Sequence, residues 1–363
     1  MSDSDVRSAS LEYHRHYPPG KISVQATKQL TNQRDLALAY TPGVAAACDE
    51  IVRDPAEARN LTARGNLVAV VTNGTAVLGL GNIGALAGLP VMEGKAALFA
   101  DLVGISGVPI LINETEPARV VDIVTGIATS FGAIQLEDFA APECFEIERL
   151  LRARLTKPVL HDDQHGTAVV TLAALLNAGR RSGVDVCGSI VGQVGLGAAG
   201  TGIVRLLRAF GVRHVLGTDR NAQAVARLEE MGGEGVTLEA LMQRADIVIA
   251  CTGVKGLIKP QWVREGQVIL ALSNPDPEIE PLAAREHGAA FAADGKGINN
   301  VLAFPGLFRG ALEARARAFS DDMLMAAAHA IADVASGDEL VPDPLDKGLH
   351  EKVTAAVRAA AGA

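Results

Sequence analysis

The chain has 363 residues, 48% of them hydrophobic and 21% charged, enough to bury two cores and ordinary for an α/β protein. A formal net charge of −9 and an aromatic content of only 4% argue against nucleic acid or an anionic membrane surface as partner. No run of about 18 uncharged apolar residues occurs and residues 1–10 lack an apolar signal core, so neither membrane spanning nor secretion is expected and a cytoplasmic location follows.

Residues 1–30 show no strong periodicity and carry Pro18-Pro19-Gly20, so they are read as an arm that contacts a partner. From Asn66 the pattern turns to short apolar strands, expected at 67–72, 77–80, 108–112 and 133–136. Helices are expected between them at 117–130, where Pro117 suits a first turn, and at 144–155, read as a surface-facing amphipathic helix. A second α/β block begins near Gly166. Its helix at 167–178 precedes strands at 189–194, 214–218, 247–250 and 268–272, and Ala-rich helices at 321–335 and 352–361 follow. Alternating strands and helices imply parallel sheets. The expected fold is therefore α/β: an N-terminal α/β substrate and metal domain over 1–160, then a Rossmann-type doubly wound NAD domain with C-terminal helices over 161–363. The cysteines Cys48, Cys144, Cys187 and Cys251 form no CxxC and are read as reduced, mostly buried residues.

Two acidic pairs close apolar segments: Glu137-Asp138 after Ala133-Ile134-Gln135-Leu136, and Asp162-Asp163 after Pro158-Val159-Leu160-His161. Four carboxylates at the mouths of buried strands suit a hard divalent cation, which takes oxygen ligands. GxGxxG occurs twice. Gly195-Leu196-Gly197-Ala198-Ala199-Gly200 lies between a strand and a helix, and Asp219 ends the next strand 24 residues after Gly195. This is read as a dinucleotide loop. Gly195, Gly197, Ala198, Ala199 and Gly200 approach the pyrophosphate and Asp219 accepts from the ribose hydroxyls. A carboxylate there repels a 2′-phosphate and favours NAD; Arg220 beside it leaves NADP open. The other match, Gly79-Leu80-Gly81-Asn82-Ile83-Gly84, meets Pro90 six residues later and is read as a tight turn lining a substrate cleft.

With these pieces in place, the sequence resembles the malic enzyme family in its short bacterial form. The resemblance rests on Asp35-Leu36-Ala37-Leu38-Ala39-Tyr40-Thr41-Pro42-Gly43, Pro90-Val91-Met92-Glu93-Gly94-Lys95, Leu136-Glu137-Asp138-Phe139, His161-Asp162-Asp163-Gln164-His165-Gly166-Thr167, Ser273-Asn274-Pro275 and Asn299-Asn300-Val301-Leu302-Ala303-Phe304-Pro305, among others in family order. It implies that Glu137, Asp138 and Asp163 ligate Mg²⁺ or Mn²⁺, that Lys95 is the general base and that Tyr40 is the general acid. Asp162 is expected to hold the Lys95 ammonium. Asn274 and Asn300 are expected to bind substrate or the nicotinamide ribose, only one of Asn299 and Asn300 facing inward. The implied activity is oxidative decarboxylation of (S)-malate to pyruvate and CO₂ in a homodimer, the N-terminal arm crossing to the partner. A malolactic enzyme, a plain hydroxyacid dehydrogenase and a dinucleotide-sensing regulator are the alternatives. One departure stands out: Ala76 occupies the place where longer family members carry a carboxylate-binding arginine.

Overall fold

The computed structural model describes residues 3–77, 79–337 and 339–362. The chain opens with four exposed helices, α1 (Asp3–Arg15), α2 (Gln33–Ala39), α3 (Val44–Arg53) and α4 (Ala58–Leu61). The first α/β block follows as β1 (Leu67–Thr72), α5 (Leu89–Val103), β2 (Ser106–Leu111), α6 (Pro117–Ile127), β3 (Ala133–Leu136), α7 (Glu143–Arg154) and β4 (Val159–His161). A long helix, α8 (Asp162–Ser182), leads to β5 (Ile190–Val194), α9 (Ala198–Phe210), β6 (His214–Thr218), α10 (Ala222–Glu230), β7 (Glu234–Gly235), α11 (Leu238–Arg244), β8 (Ile247–Ala250), β9 (Val268–Ala271), α12 (Pro281–Glu286) and β10 (Phe291–Asp294). Helices α13 (Phe304–Glu313), α14 (Asp321–Val334) and α15 (Lys347–Ala361) follow.

Both sheets are parallel, as the β/α alternation requires. The first has the order β2-β1-β3-β4 and the second β10-β9-β8-β5-β6-β7. In each the order reverses once, between β1 and β3 and between β5 and β8. Ligands of open α/β sheets sit at the carboxyl ends of strands beside such a reversal. Strand side chains alternate between faces, and the cores record it. Val68 and Val70 of β1 enter a central cluster, whereas Ala69 and Val71 enter an outer one. Likewise Ile247 and Ile249 of β8 face the central cluster, Val248 and Ala250 the far side. The central cluster is filled by α8 and the C-terminal helices, so both sheets share it. Phe99 of α5 meets Phe304 and Phe308 of α13 edge to face, with centroids at 4.9 and 5.4 Å. Truncating a fully buried residue of this layer, such as Leu172, would cost about 2–5 kcal/mol.

The spacing between the two blocks is set where α8 crosses α9. A Cβ at Gly202 would lie 2.4 Å from the carbonyl oxygen of Gln164, so only glycine permits this approach.

Three elements depart from the sequence reading. The expected strand at 77–80 is a turn in which Val77 bridges Gly81, Gly79 and Gly81 both having positive φ; Leu78 lies outside the described residues. Pro90, read as a helix breaker, instead opens α5 at its first turn, where no intrahelical N–H is needed. The N-terminal arm, for which no helix was expected, begins with α1, whose described side chains are almost all exposed. The cysteines, expected to be mostly buried, are not: Cys144 is buried, Cys187 and Cys251 are half-buried, and Cys48 on α3 is exposed. Among the described residues no helix is long and apolar enough to cross a membrane.

Candidate active site

Parallel pairing places Leu136 of β3 opposite His161 of β4, so the two acidic pairs emerge side by side at the carboxyl edge of the first sheet. Asp138 adopts φ 57°, a left-handed conformation that non-glycine residues seldom hold without reason. Its backbone N–H donates to Asp163 Oδ2 at 2.9 Å. Glu137, Asp138 and Asp163 each offer an oxygen, all within 4.8 Å of one another. Such crowding is unfavourable by itself. Burial and then the surrounding acids push Glu137 well above the usual carboxylate range, although Lys95 opposes this. Burial and the neighbouring Asp163 push Asp138 up to about 7. Burial acts upward on Asp163 too, but the adjacent His161 outweighs it and holds that carboxylate low. Asp138 Oδ2 and Asp162 Oδ1 are buried without a hydrogen-bond partner. Orphaned oxygens and surplus negative charge are the condition that a hard dication relieves, so the donor set fits Mg²⁺ or Mn²⁺.

Lys95 reaches this corner from the second turn of α5. Its Nζ lies 2.6 Å from Asp162 Oδ2 and 3.1 Å from Glu137 Oε1, and it donates to Asn300 Oδ1 at 3.2 Å. The ring of Phe304 lies beneath it at 4.5 Å. Burial favours the neutral amine, yet Asp162 and Glu137 overrule it and raise the Lys95 pKa above its ordinary value. Asp162 is confined by Gly166, where a Cβ would sit 1.9 Å from Asp162 Oδ1. Of the adjacent asparagines, Asn300 faces Lys95, while exposed Asn299 caps its own turn by accepting from the Val301 N–H.

Behind the corner lies a network that sequence reasoning missed. Glu148 of α7, read there as part of a surface face, is only 5% exposed. Its carboxylate accepts from His165 Nε2 at 2.9 Å, Gln164 Nε2 at 3.3 Å and the His161 N–H at 3.2 Å. Burial acts upward on Glu148, but the nearby histidines prevail and hold it down at about 2. Gln164 Nε2 also donates to His161 Nδ1 at 2.9 Å, which leaves His161 Nε2 to face Asp163 Oδ2 at 3.2 Å. The spacing of His161, Gln164 and His165, three and four residues apart around one helix start, was the available signal.

At the second sheet, the glycine loop follows β5. Gly195 has φ 90°, and a Cβ on Gly200 would meet the Gly195 oxygen at 1.9 Å. A Cβ on Gly197 would meet nothing within 4 Å, so the backbone at the start of α9 borders open space. A cavity of about 320 Å³ beside it is lined by Gly195, Gly197, Asp219, Arg220, Thr252 and neighbours. Asp219 ties this pocket together, accepting from the Leu196 N–H at 2.7 Å and the Asn221 N–H at 2.8 Å. Ala198 and Ala199 begin α9. Asn274 lies on the loop beyond β9, is exposed, and donates to the Gly295 carbonyl at 3.0 Å.

Tyr40 is not drawn into the corner. It ends α2, its side chain is 69% exposed, and neither α2 nor α3 buries a residue. Ala76 does adjoin the corner, its N–H donating to the Asp138 carbonyl at 2.9 Å.

Comparison with known proteins bears on this geometry. The family model of the malic enzyme N-terminal domain matches residues 19–118, and that of the malic enzyme NAD-binding domain matches residues 292–348. Between them, residues 163–256 match the NAD-binding domain of D-isomer-specific 2-hydroxyacid dehydrogenases. The chain is 55% identical to NAD-dependent malic enzyme 1 of Bacillus subtilis (strain 168), covering 98% of this chain and 81% of that protein. It is 41% identical to the NADP-dependent malic enzyme of Escherichia coli (strain K12), covering 99% of this chain and 53% of that longer protein. The solved structure of malic enzyme from Pyrococcus horikoshii Ot3 superposes with a TM-score of 0.91 at 41% identity, covering 98% of this chain and 90% of that one.

Proposed function

The chain belongs to the malic enzyme family, and from that premise we propose that it oxidises and decarboxylates (S)-malate to pyruvate and CO₂, using NAD and Mg²⁺ or Mn²⁺. The observation that carries the reading is the convergence of Glu137, Asp138 and Asp163 within 4.8 Å, with Lys95 held beside them by Asp162. When bound, the cation would polarise the C2 oxygen of malate and stabilise enolate charge, and NAD would accept the C2 hydride.

The protein groups then take these parts. Glu137, Asp138 and Asp163 hold the ion. Asp162 and Asn300 aim the Lys95 amine, which removes the C2 hydroxyl proton. Without a cation, Asp162 and Glu137 keep Lys95 an ammonium; a cation held by Glu137, Asp138 and Asp163 would counter their charge and favour the free amine. The C4 carboxylate of the resulting β-keto acid departs as CO₂, its bonding electrons leave an enolate, and the Tyr40 phenol donates the proton to C3 to give pyruvate. The exposed helices α1–α4 are the surface we assign to a homodimer, in which Tyr40 joins the site. Asn274 is assigned to the nicotinamide ribose or the substrate. NAD is preferred over NADP because Asp219 presents a carboxylate where a 2′-phosphate would lie; Arg220 lines the same pocket.

Initial rates with malate and Mn²⁺, comparing NAD with NADP and assaying pyruvate, test the reading. Full activity in excess EDTA would point instead to a metal-free hydroxyacid dehydrogenase, and lactate as product to a malolactic enzyme.

A further inference from the structure

On the face away from the carboxylate corner, a groove of about 390 Å³ runs between α7, the first turn of α8, α9 and α10. Four guanidinium groups line it: Arg149 and Arg152 from α7, Arg205 from α9 and Arg227 from α10. In a chain of net charge −9 this is a local concentration of positive charge. Glu148 and Glu230 also line the groove, but the Glu148 oxygens are already taken by His161, Gln164 and His165.

The arginines are unevenly answered. Arg205 pairs with Asp321 at 3.0 Å and Arg152 donates to the Phe319 carbonyl at 3.0 Å. Arg149 has neither an ion pair nor a hydrogen bond among the described residues. Arg227 lies over the ring of Phe145 at 5.1 Å, and its Nε is buried without an acceptor. A guanidinium resting over an aromatic ring is already partly immobilised, and Arg227 still lines the groove.

We infer that this groove is an effector site for a small metabolite carrying phosphate or carboxylate groups, gripped by Arg149 and Arg227. Planar oxyanions match the guanidinium fork in a bidentate manner, and the volume falls in the range of small-ligand sites. The groove wall supplies the link to the chemistry. Gln164 and Glu148 line it, both bond to His161, and His161 Nε2 faces Asp163. An anion that reorders this pairing alters the placement of a carboxylate assigned to the metal. By reciprocity, the metal alters the anion's affinity by the same factor.

The inference goes beyond the proposed reaction, and its first test uses neither malate nor NAD. Calorimetric titration of the full chain with inorganic phosphate in one arm and succinate in the other should show binding in at least one. Preference for phosphate assigns a phosphorylated ligand, preference for succinate a dicarboxylate. Arg149→Ala and Arg227→Gln should each weaken binding about tenfold, with Arg149→Lys retaining part of it. Saturating anion should then shift the Mn²⁺ affinity measured by electron paramagnetic resonance. No binding of either anion at about 10 mM, or equal binding by wild type and Arg149→Ala, overturns the site. Binding that leaves Mn²⁺ affinity unmoved overturns its role as an effector site.

Discussion

Four acids on one side and a single buried glutamate on the other share the first turn of α8. Ahead of the helix, Glu137, Asp138, Asp162 and Asp163 face one another with Lys95 and His161 as their basic neighbours, and two of their oxygens have no partner. Behind it, Glu148 is enclosed by Gln164, His165 and the His161 amide. Burial works upward on the carboxyls of both groups. It prevails at Asp138, which stands at about 7, and loses at Glu148, which stands at about 2. A buried charge that is fully answered contributes to the scaffold, whereas one left short of partners marks a place prepared for something else.

Asp138→Asn should separate the two most sharply. Asparagine tolerates the left-handed backbone at this position, so the fold is kept while a carboxylate is lost. Mn²⁺-dependent malate turnover should fall by about 10²-fold or more, yet the metal-free protein should become more stable at neutral pH. The folded pKa of Asp138 is raised, so its contribution to stability is present below the unfolded value near 4 and lost as pH rises towards about 7. Melting curves of the metal-free wild type should therefore decline across that window, and those of the variant should decline less. An unchanged pH profile would break the contrast.

Glu148→Gln should do the reverse. Its folded pKa is depressed, so its contribution is present above the unfolded value near 4.5 and lost as pH falls towards about 2. At neutral pH the variant should lose about 3 kcal/mol in urea unfolding, a difference that closes in acid. Gly166→Ala probes the seam between the groups, because its methyl group would displace Asp162 from Lys95. Turnover should drop about tenfold or more with a smaller change in stability. The smallest effect belongs to the second sheet: Asp219→Ser should shift the ratio of kcat/KM for NADP over NAD by about tenfold towards NADP.

The acidic corner could be read from the sequence because both pairs stop apolar runs, and a strand end fixes where the next side chains go. The glycine loop was legible for a similar reason: strand, turn, helix and Asp219 are consecutive in the chain. Glu148 was not. Nothing within 144–155 distinguishes the glutamate that turns inward from Glu146, because its partners are contributed by another element. Pro90 misled because a proline that interrupts a helix and one that begins it look alike without knowing where the preceding turn ends. Helices α2 and α3 bury no residue in this chain, yet Val44, Cys48, Ile51 and Val52 of α3 recur at helical spacing, so that helix was legible and only its missing partner was not.

The contact between Gly202 and the Gln164 backbone has a consequence for how the two halves keep step. Main chain rests on main chain there, with no rotamer to absorb an error, and Gln164 is the residue after Asp163. The reach from the acids of one sheet to the glycine loop of the other is thus gauged like the jaws of a caliper. Substitutions elsewhere can reshape either pocket, but a single added methyl at position 202 would reset the gap for both at once.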